Sequence, residues 1–234
     1  MILCIETATT TCSVALCDNK KTVASRENRE GKSHSSMLTV YINEILNEAG
    51  IKPADLEAVA VSKGPGSYTG LRIGVSVAKG IAYGASVPLV GIDTTLSMFH
   101  GFITEKGRED LAGEPSFFIP AIDARRMEIY YSVFNSGGEV VKDVQAGIID
   151  SDSFSDLPIS SGIIIFGDGA AKCRATVKRG GMKFVDDFMV SAEYLRGPAY
   201  MAISAKRFED VAYFEPLYLK DFLTSKPVKN LLRK

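Results

Sequence analysis

Three acids occupy positions where open α/β proteins tend to place their chemistry. Glu6 and Asp123 close the apolar runs at 2–6 and 116–123, and Asp168 follows the run at 163–166 within Gly167-Asp168-Gly169. Ligand crevices in such folds lie beyond the carboxyl ends of strands, so these acids, with Thr7 and Thr9, mark a candidate nucleotide cleft. Taken singly, each acid reads first as a turn or cap residue. A second candidate is Ser62-Lys63-Gly64-Pro65-Gly66-Ser67-Tyr68-Thr69-Gly70-Leu71-Arg72-Ile73-Gly74. A glycine-rich turn entering a helix can offer bare N–H groups to an anion. The spacing G-x-G-x-x-x-G is not the dinucleotide fingerprint, and no Gly-Lys-Ser/Thr completes a P-loop. The preferred reading is a structural strand-to-helix turn, with phosphate binding as the alternative.

Metal and nucleophile chemistry find less support. The two histidines, His34 and His100, are far apart in sequence. A zinc site on a helix would want a second ligand one turn beyond His34, and that residue is Leu38, so His34 reads as a capping or packing residue. Cys4, Cys12, Cys17 and Cys173 contain no CxxC pair and read as reduced structural thiols. No Gly-x-Ser-x-Gly occurs. Arg125-Arg126, directly after Asp123, can pair with an acid or a phosphate but reads first as a solvated pair. The basic residues at 226–234 read as a frayed tail, with a weak RNA contact as the alternative.

The elements that must carry these residues follow from period and punctuation. Runs at 2–8, 11–18 and 22–27 look like a meander of strands. Leu38, Tyr41, Ile42, Ile45, Leu46 and Ala49 then recur at helical spacing. Ser33 or Ser35 can cap the start of that helix, and Gly50 can end it at positive φ. A strand at 57–62, a helix at 69–84, a strand at 87–92 and a short helix at 94–102 complete a first half. Residues 104–115 are charged, aperiodic and read as a linker. The pattern restarts with strands at 116–123, 127–134, 139–149 and 163–166, a helix at 170–177, a strand at 182–185 and a helix at 198–208. Two β-β-β-α-β-α units imply a duplicated α/β architecture with a cleft between lobes. The expected division is 1–103 and 104–234, with the last helix a candidate to cross back onto the first lobe.

The helix at 69–84 carries Gly70, Gly74, Ala78 and Ala82 on one stripe. Glycine inside a helix costs roughly 1 kcal/mol relative to alanine, so the stripe needs a reason. It is either packing against the chain's own sheet or first helix, or a face kept for a partner helix. The first helix adds Met37, Leu38, Val40, Tyr41, Ile42 and Ile45, a wider apolar arc than one core contact requires. That width favours a partner interface.

Composition sets the outer bounds. The chain has 234 residues, 46 % hydrophobic and 24 % charged, with a formal net charge of −1. That excludes a disordered or collagen-like chain, and a domain of this size buries roughly 70–75 % of its unfolded surface. A charge-balanced chain is a poor stand-alone binder of nucleic acid. No run approaches the ~18 apolar residues of a spanning helix. The opening residues lack a basic leader and meet Glu6 too early for a signal peptide, so no membrane contact and a cytoplasmic location are expected.

With Glu6-Thr7-Ala8, His34-Ser35, the segment Gly64 to Gly74, Asp123-Ala124-Arg125-Arg126 and Pro216-Leu217-Tyr218-Leu219 in view, the sequence resembles the bacterial TsaB (YeaZ) family. The resemblance implies the actin-like ATPase fold, ribonuclease H-like and shared with sugar kinases and Hsp70. It implies work on threonylcarbamoyladenosine beside the anticodon of tRNAs reading codons that begin with A. The chain would be a non-catalytic subunit that binds and activates TsaD, a paralogue carrying a metal-binding His-x-x-x-His on the corresponding helix. Here that motif is incomplete, so no catalytic residue and no metal are expected. The resemblance implies docking on TsaD through the two first-lobe helices, with TsaE joining the assembly. Alone, the same face would form a homodimer; tRNA would be met only through the complex. No cofactor is required by the chain, and ATP binding would be weak or belong to the complex. The alternative is an independent ATPase or glycoprotease-like peptidase using the cleft.

Overall fold

A computed structural model describes residues 1–30, 34–106, 116–158 and 162–220. The first half runs β1 (Ile2–Glu6), β2 (Cys12–Cys17), β3 (Thr22–Asn28), α1 (His34–Ala49), β4 (Ala58–Gly64), α2 (Tyr68–Ala85), β5 (Leu89–Asp93) and α3 (Thr94–Lys106). The second runs β6 (Phe117–Asp123), β7 (Glu128–Asn135), β8 (Val140–Ile148), β9 (Ile163–Phe166), α4 (Ala170–Thr176), β10 (Met182–Val185) and α5 (Arg196–Ser204). Gly50 stands at φ 68° after α1, as its position suggested. Ser35 lies inside the first turn of α1 rather than capping it, and Ser33 lies outside the described residues. Residues 107–115 of the expected linker and the basic run at 226–234 also lie outside them.

The duplication is explicit in the sheets. Their orders are β3-β2-β1-β4-β5 and β8-β7-β6-β9-β10, the second being the first with each label advanced by five. In each sheet the first strand pairs antiparallel with the second and parallel with the fourth, as in Ile2↔Cys17 and Ile2↔Ala58. The second copy departs from the expected β-β-β-α-β-α order. Among the described residues, turns rather than a helix connect β8 to β9, and their Phe154 and Leu157 fill the core space beside Ile119 and Ile165.

Both faces of the first sheet are covered, which is why its central strand reads as an unbroken apolar run. Leu3, Ile5, Val14, Val59 and Val61 face α1 and α2. Ile2, Cys4, Ala15, Ala60 and Ile92 face Ala192, Leu195, Ala199 and Ala202, from α5 and the turn before it. α3 makes the reciprocal crossing: its Met98, Phe99 and Phe102 pack on Phe118, Phe134 and Phe166 of the second sheet. The division at 103/104 therefore separates the sheets but not the lobes. The segment beyond α5 runs along the first lobe, where Glu209 N–H donates to the Leu89 carbonyl at 2.9 Å, and reaches the second at Lys220, which pairs with Glu128.

Candidate functional site

β1 ends at Glu6, and the chain turns at once through Thr7 and Ala8 against the start of α2. The Ser67 N–H donates to the Ala8 carbonyl at 2.6 Å, and Thr7 Oγ1 donates to the Gly70 carbonyl at 2.8 Å. Each glycine on this side of the motif marks a close approach. A Cβ at Gly66 would fall on the Ala8 carbonyl oxygen, at Gly70 on the Thr7 carbonyl oxygen, and at Gly74 on the Thr7 hydroxyl. Ser67 caps α2, its Oγ accepting the Gly70 N–H at 3.3 Å. Two of the N–H groups of this turn are thus taken, that of Ser67 by the Ala8 carbonyl and that of Gly70 by the cap. The structural reading of this motif fits the geometry.

The other side of the loop meets the C-terminal segment. Gly64 has φ 119°, and a Cβ there would press on the Leu217 carbonyl oxygen at 2.6 Å. The Leu217 N–H donates to the Lys63 carbonyl at 2.6 Å. Tyr218 lies 4.8 Å from the Tyr68 ring, and its hydroxyl accepts from Arg72 Nε at 3.3 Å.

Glu6 is fully buried. One carboxylate oxygen accepts the Ala8 N–H at 2.6 Å and the other accepts from the Ser62 hydroxyl. Burial pushes the carboxyl up to about 7, against the lowering effect of those hydrogen bonds. Glu6 is thus tied to β4 and to the turn after β1, and Thr7 to the start of α2.

Thr9 and Asp168 do come together, at a gap also lined by Met98, Phe188, Met189 and Val190. Asp123 and the two glycines gather around Asp168. The Asp123 N–H donates to its Oδ1 at 2.9 Å, Gly169 N–H donates to the Ala121 carbonyl at 3.0 Å, and Gly167 takes φ 107°. Burial, with Asp123 close by, raises the Asp168 carboxyl above its ordinary range. The gap measures about 10 Å³. That is room for one water, whereas ligand pockets run to roughly 300–1,000 Å³. Phe188, buried, and Met189, half-buried, stand at the edge of the gap. They lie in a stretch with no motif, and apolar character is their one sequence signal.

The metal motif is absent in geometry as in sequence. The His34 ring nitrogen Nε2 lies 3.1 Å from the Thr11 carbonyl, and Leu38 is buried in the core. Among the described residues no cluster of three or more His, Cys, Asp or Glu side chains could hold a metal ion.

The expected partner face needs correction. Leu38, Ile42, Ile45, Gly70, Gly74, Ala78 and Ala82 are all buried, the apolar side chains within the core under α1 and α2. On the α2 stripe, Gly70 and Gly74 make room for Thr7, while Ala78 and Ala82 pack in the core. Met37 and Tyr41 are half-buried and remain at the surface. The outward side of the helices includes Val40 of the expected arc and, on α2, residues outside the expected face. It shows Val40 at 44 % and Tyr83 at 81 % exposure, half-buried Ile73, Val77 and Ile81, and exposed Ser76, Gly80 and Gly84. A Cβ at Gly80 or Gly84 would meet nothing within 4 Å. Charged and aromatic neighbours obscured this face in the sequence.

The duplicated sheets with exchanged helices define the class: this is the actin-like ATPase fold. YeaZ from Pseudomonas aeruginosa superposes with a TM-score of 0.79 at 23 % identity, covering 93 % of this chain and 99 % of that one. The "tRNA threonylcarbamoyladenosine biosynthesis protein TsaB" of Escherichia coli K12 is 36 % identical over 133 residues, 57 % of this chain and 54 % of that protein. The protein of the same name from Haemophilus influenzae is 32 % identical over 131 residues, 56 % of this chain and 52 % of that protein. The chain thus spans about half the length of the curated relatives it matches. The family model described as "TsaD: tRNA N6-adenosine threonylcarbamoyltransferase" matches residues 23–220. The chain belongs to this family, on its TsaB branch.

Proposed function

We propose that the chain is a non-catalytic subunit in the formation of threonylcarbamoyladenosine on tRNA, docking on and activating TsaD. The observation that carries this is the narrowness of the gap beside Thr9 and the exposed Asp168 in a member of a transferase family. Thr9 and Asp168 face a gap of about 10 Å³, and Glu6 and the start of α2 are occupied by internal packing. Such a chain needs no resident cofactor, and ATP acts at the assembly, which TsaE joins. Docking uses the outward side of α1 and α2: Met37, Val40 and Tyr41 with Ile73, Val77, Ile81 and Tyr83. Gly80 favours it, since an interior helix glycine facing open space has no internal packing to explain it. Without TsaD the same face pairs two copies. The tRNA is met through the complex, in the cytoplasm; no described helix is long and apolar enough to cross a membrane.

Gel filtration of the chain alone and mixed with TsaD from the same source tests the reading. The parent chain co-elutes with TsaD. Gly80→Arg and Tyr83→Glu abolish co-elution while circular dichroism and melting temperature stay near the parent's, because neither position packs internally. Ile42→Lys and Ala78→Glu would instead unfold the first lobe. A parent chain that elutes apart from TsaD defeats the proposal; docking by both surface variants defeats the placement of the face.

A further inference from the structure

The turn from β6 to β7 holds two consecutive non-glycine residues in the left-handed region, Arg125 at φ 65° and Arg126 at φ 50°. A side chain there crowds the following carbonyl, and glycine or asparagine usually relieves it. Arginine relieves nothing, so the two side chains are kept at a backbone cost, a pattern that tends to mark functional positions. Both residues are exposed at the tip of the hairpin.

The acids at the foot of the turn already have cations of their own. The Asp123 carboxylate accepts the Arg125 backbone N–H at 2.6 Å and pairs with Lys172 at 2.6 Å. Glu128 pairs with Lys220, whose ammonium also donates to the Ala124 carbonyl at 3.3 Å. Asp168, exposed just beyond β9, accepts the Asp123 N–H. Among the described residues, neither guanidinium has an ion-pair partner. Two uncompensated guanidinium groups therefore stand at a convex tip of a chain whose overall charge is −1. The sequence after Lys220 continues in the same sign, with Lys226, Lys229, Arg233 and Lys234 against Asp221.

We infer that Arg125 and Arg126 form a phosphate clamp for the sugar–phosphate backbone of RNA. The inference rests on the tRNA-modifying role proposed above and adds a contact made by this chain itself. A guanidinium fork matches phosphate oxygens in two parallel hydrogen bonds. Contacts of this kind position a nucleic acid without reading its bases. The rigid hairpin, propped by Lys172 and Lys220, holds the forks in place.

The test uses the full chain in complex with TsaD and a fluorescently labelled, unmodified tRNA transcript, titrated by anisotropy over a salt series. R125Q/R126Q binds roughly tenfold more weakly near 0.1 M salt, and its log–log salt slope is shallower by about 1.5. R125G/R126G shows the same loss but melts at or above the parent temperature, because glycine is relaxed at these φ values. K20Q/K21Q, which removes two exposed neighbouring cations from the β2–β3 turn, binds as the parent does. Unchanged RNA affinity in both arginine variants overturns the clamp. So does an equal loss in K20Q/K21Q, since any surface pair would then serve. Co-elution with TsaD, read in parallel, separates the two readings: intact docking with unchanged RNA binding removes the clamp alone.

Discussion

Glu6 is the residue whose chemistry the tertiary structure changes most. In an unfolded chain its carboxyl ionises near 4.5, and in the folded protein near 7. Between those values the native state keeps a proton that the unfolded state releases, so stability falls as pH rises and the loss is complete above about 7. A displacement that large corresponds to about 3 kcal/mol. Glu6→Gln preserves an acceptor for the Ala8 N–H and a group that can bond the Ser62 hydroxyl. The variant is therefore expected to match the parent at pH 4 and to exceed its stability by up to about 3 kcal/mol at pH 8. Urea unfolding at the two pH values reads this directly. An equal effect at both would mean that the buried carboxyl does not titrate in this window. Arg125 and Arg126 are the second pair of residues whose meaning is a matter of backbone: their side chains look ordinary and their φ angles do not.

At the scale of the element, α2 carries two sets of glycines with opposite physics. Gly70 and Gly74 face Thr7, where a methyl group has no room. Gly70→Ala and Gly74→Ala should each destabilise the chain by about 1–3 kcal/mol, as overpacking does. Gly80 and Gly84 face open space, and Gly80→Ala and Gly84→Ala should each stabilise it by about 1 kcal/mol through helix propensity alone. Chemical denaturation of the four variants, at concentrations where the chain is monomeric, separates the sets. If Gly80→Ala also destabilised, its outward placement would be wrong. The stripe Gly70, Gly74, Ala78, Ala82 was legible in the sequence as a close-approach surface, but not that Thr7 meets its two glycines and the core its two alanines. Helical periodicity reports which side chains share a face and says nothing of what that face meets.

At the scale of the whole molecule, each half lends its last helix to the other. Phe102 of α3 stacks on Phe166 at 4.1 Å, Phe99 stacks on Phe134 at 4.5 Å, and Thr95 Oγ1 lies 2.8 Å from Ser132 Oγ. α5 returns the exchange under β1 and β5. A fragment of residues 1–103 would therefore expose the face of Ile2, Cys4, Ala15, Ala60, Val90 and Ile92 that α5 covers. It should lack a cooperative melt and a dispersed amide spectrum, while the full chain shows both. A fragment that melts cooperatively would show that the first lobe stands without the exchange.

The amino-acid order alone determined the strands, the helices and their repetition, because period 2, period 3.6 and the breaks at Gly50, Gly64 and Gly138 are properties of local backbone geometry. It also determined that His34 lacks a partner one turn on. Tertiary structure alone decided that seven of the nine expected docking residues are buried, that Phe188 and Met189 line the gap beside Asp168, and that α3 and α5 change lobes. Each of these depends on contacts between residues distant along the chain, as between Met98 and Phe188 or Ile2 and Ala199. Burial is decided by what the rest of the chain brings to a face, and a local pattern carries no record of that.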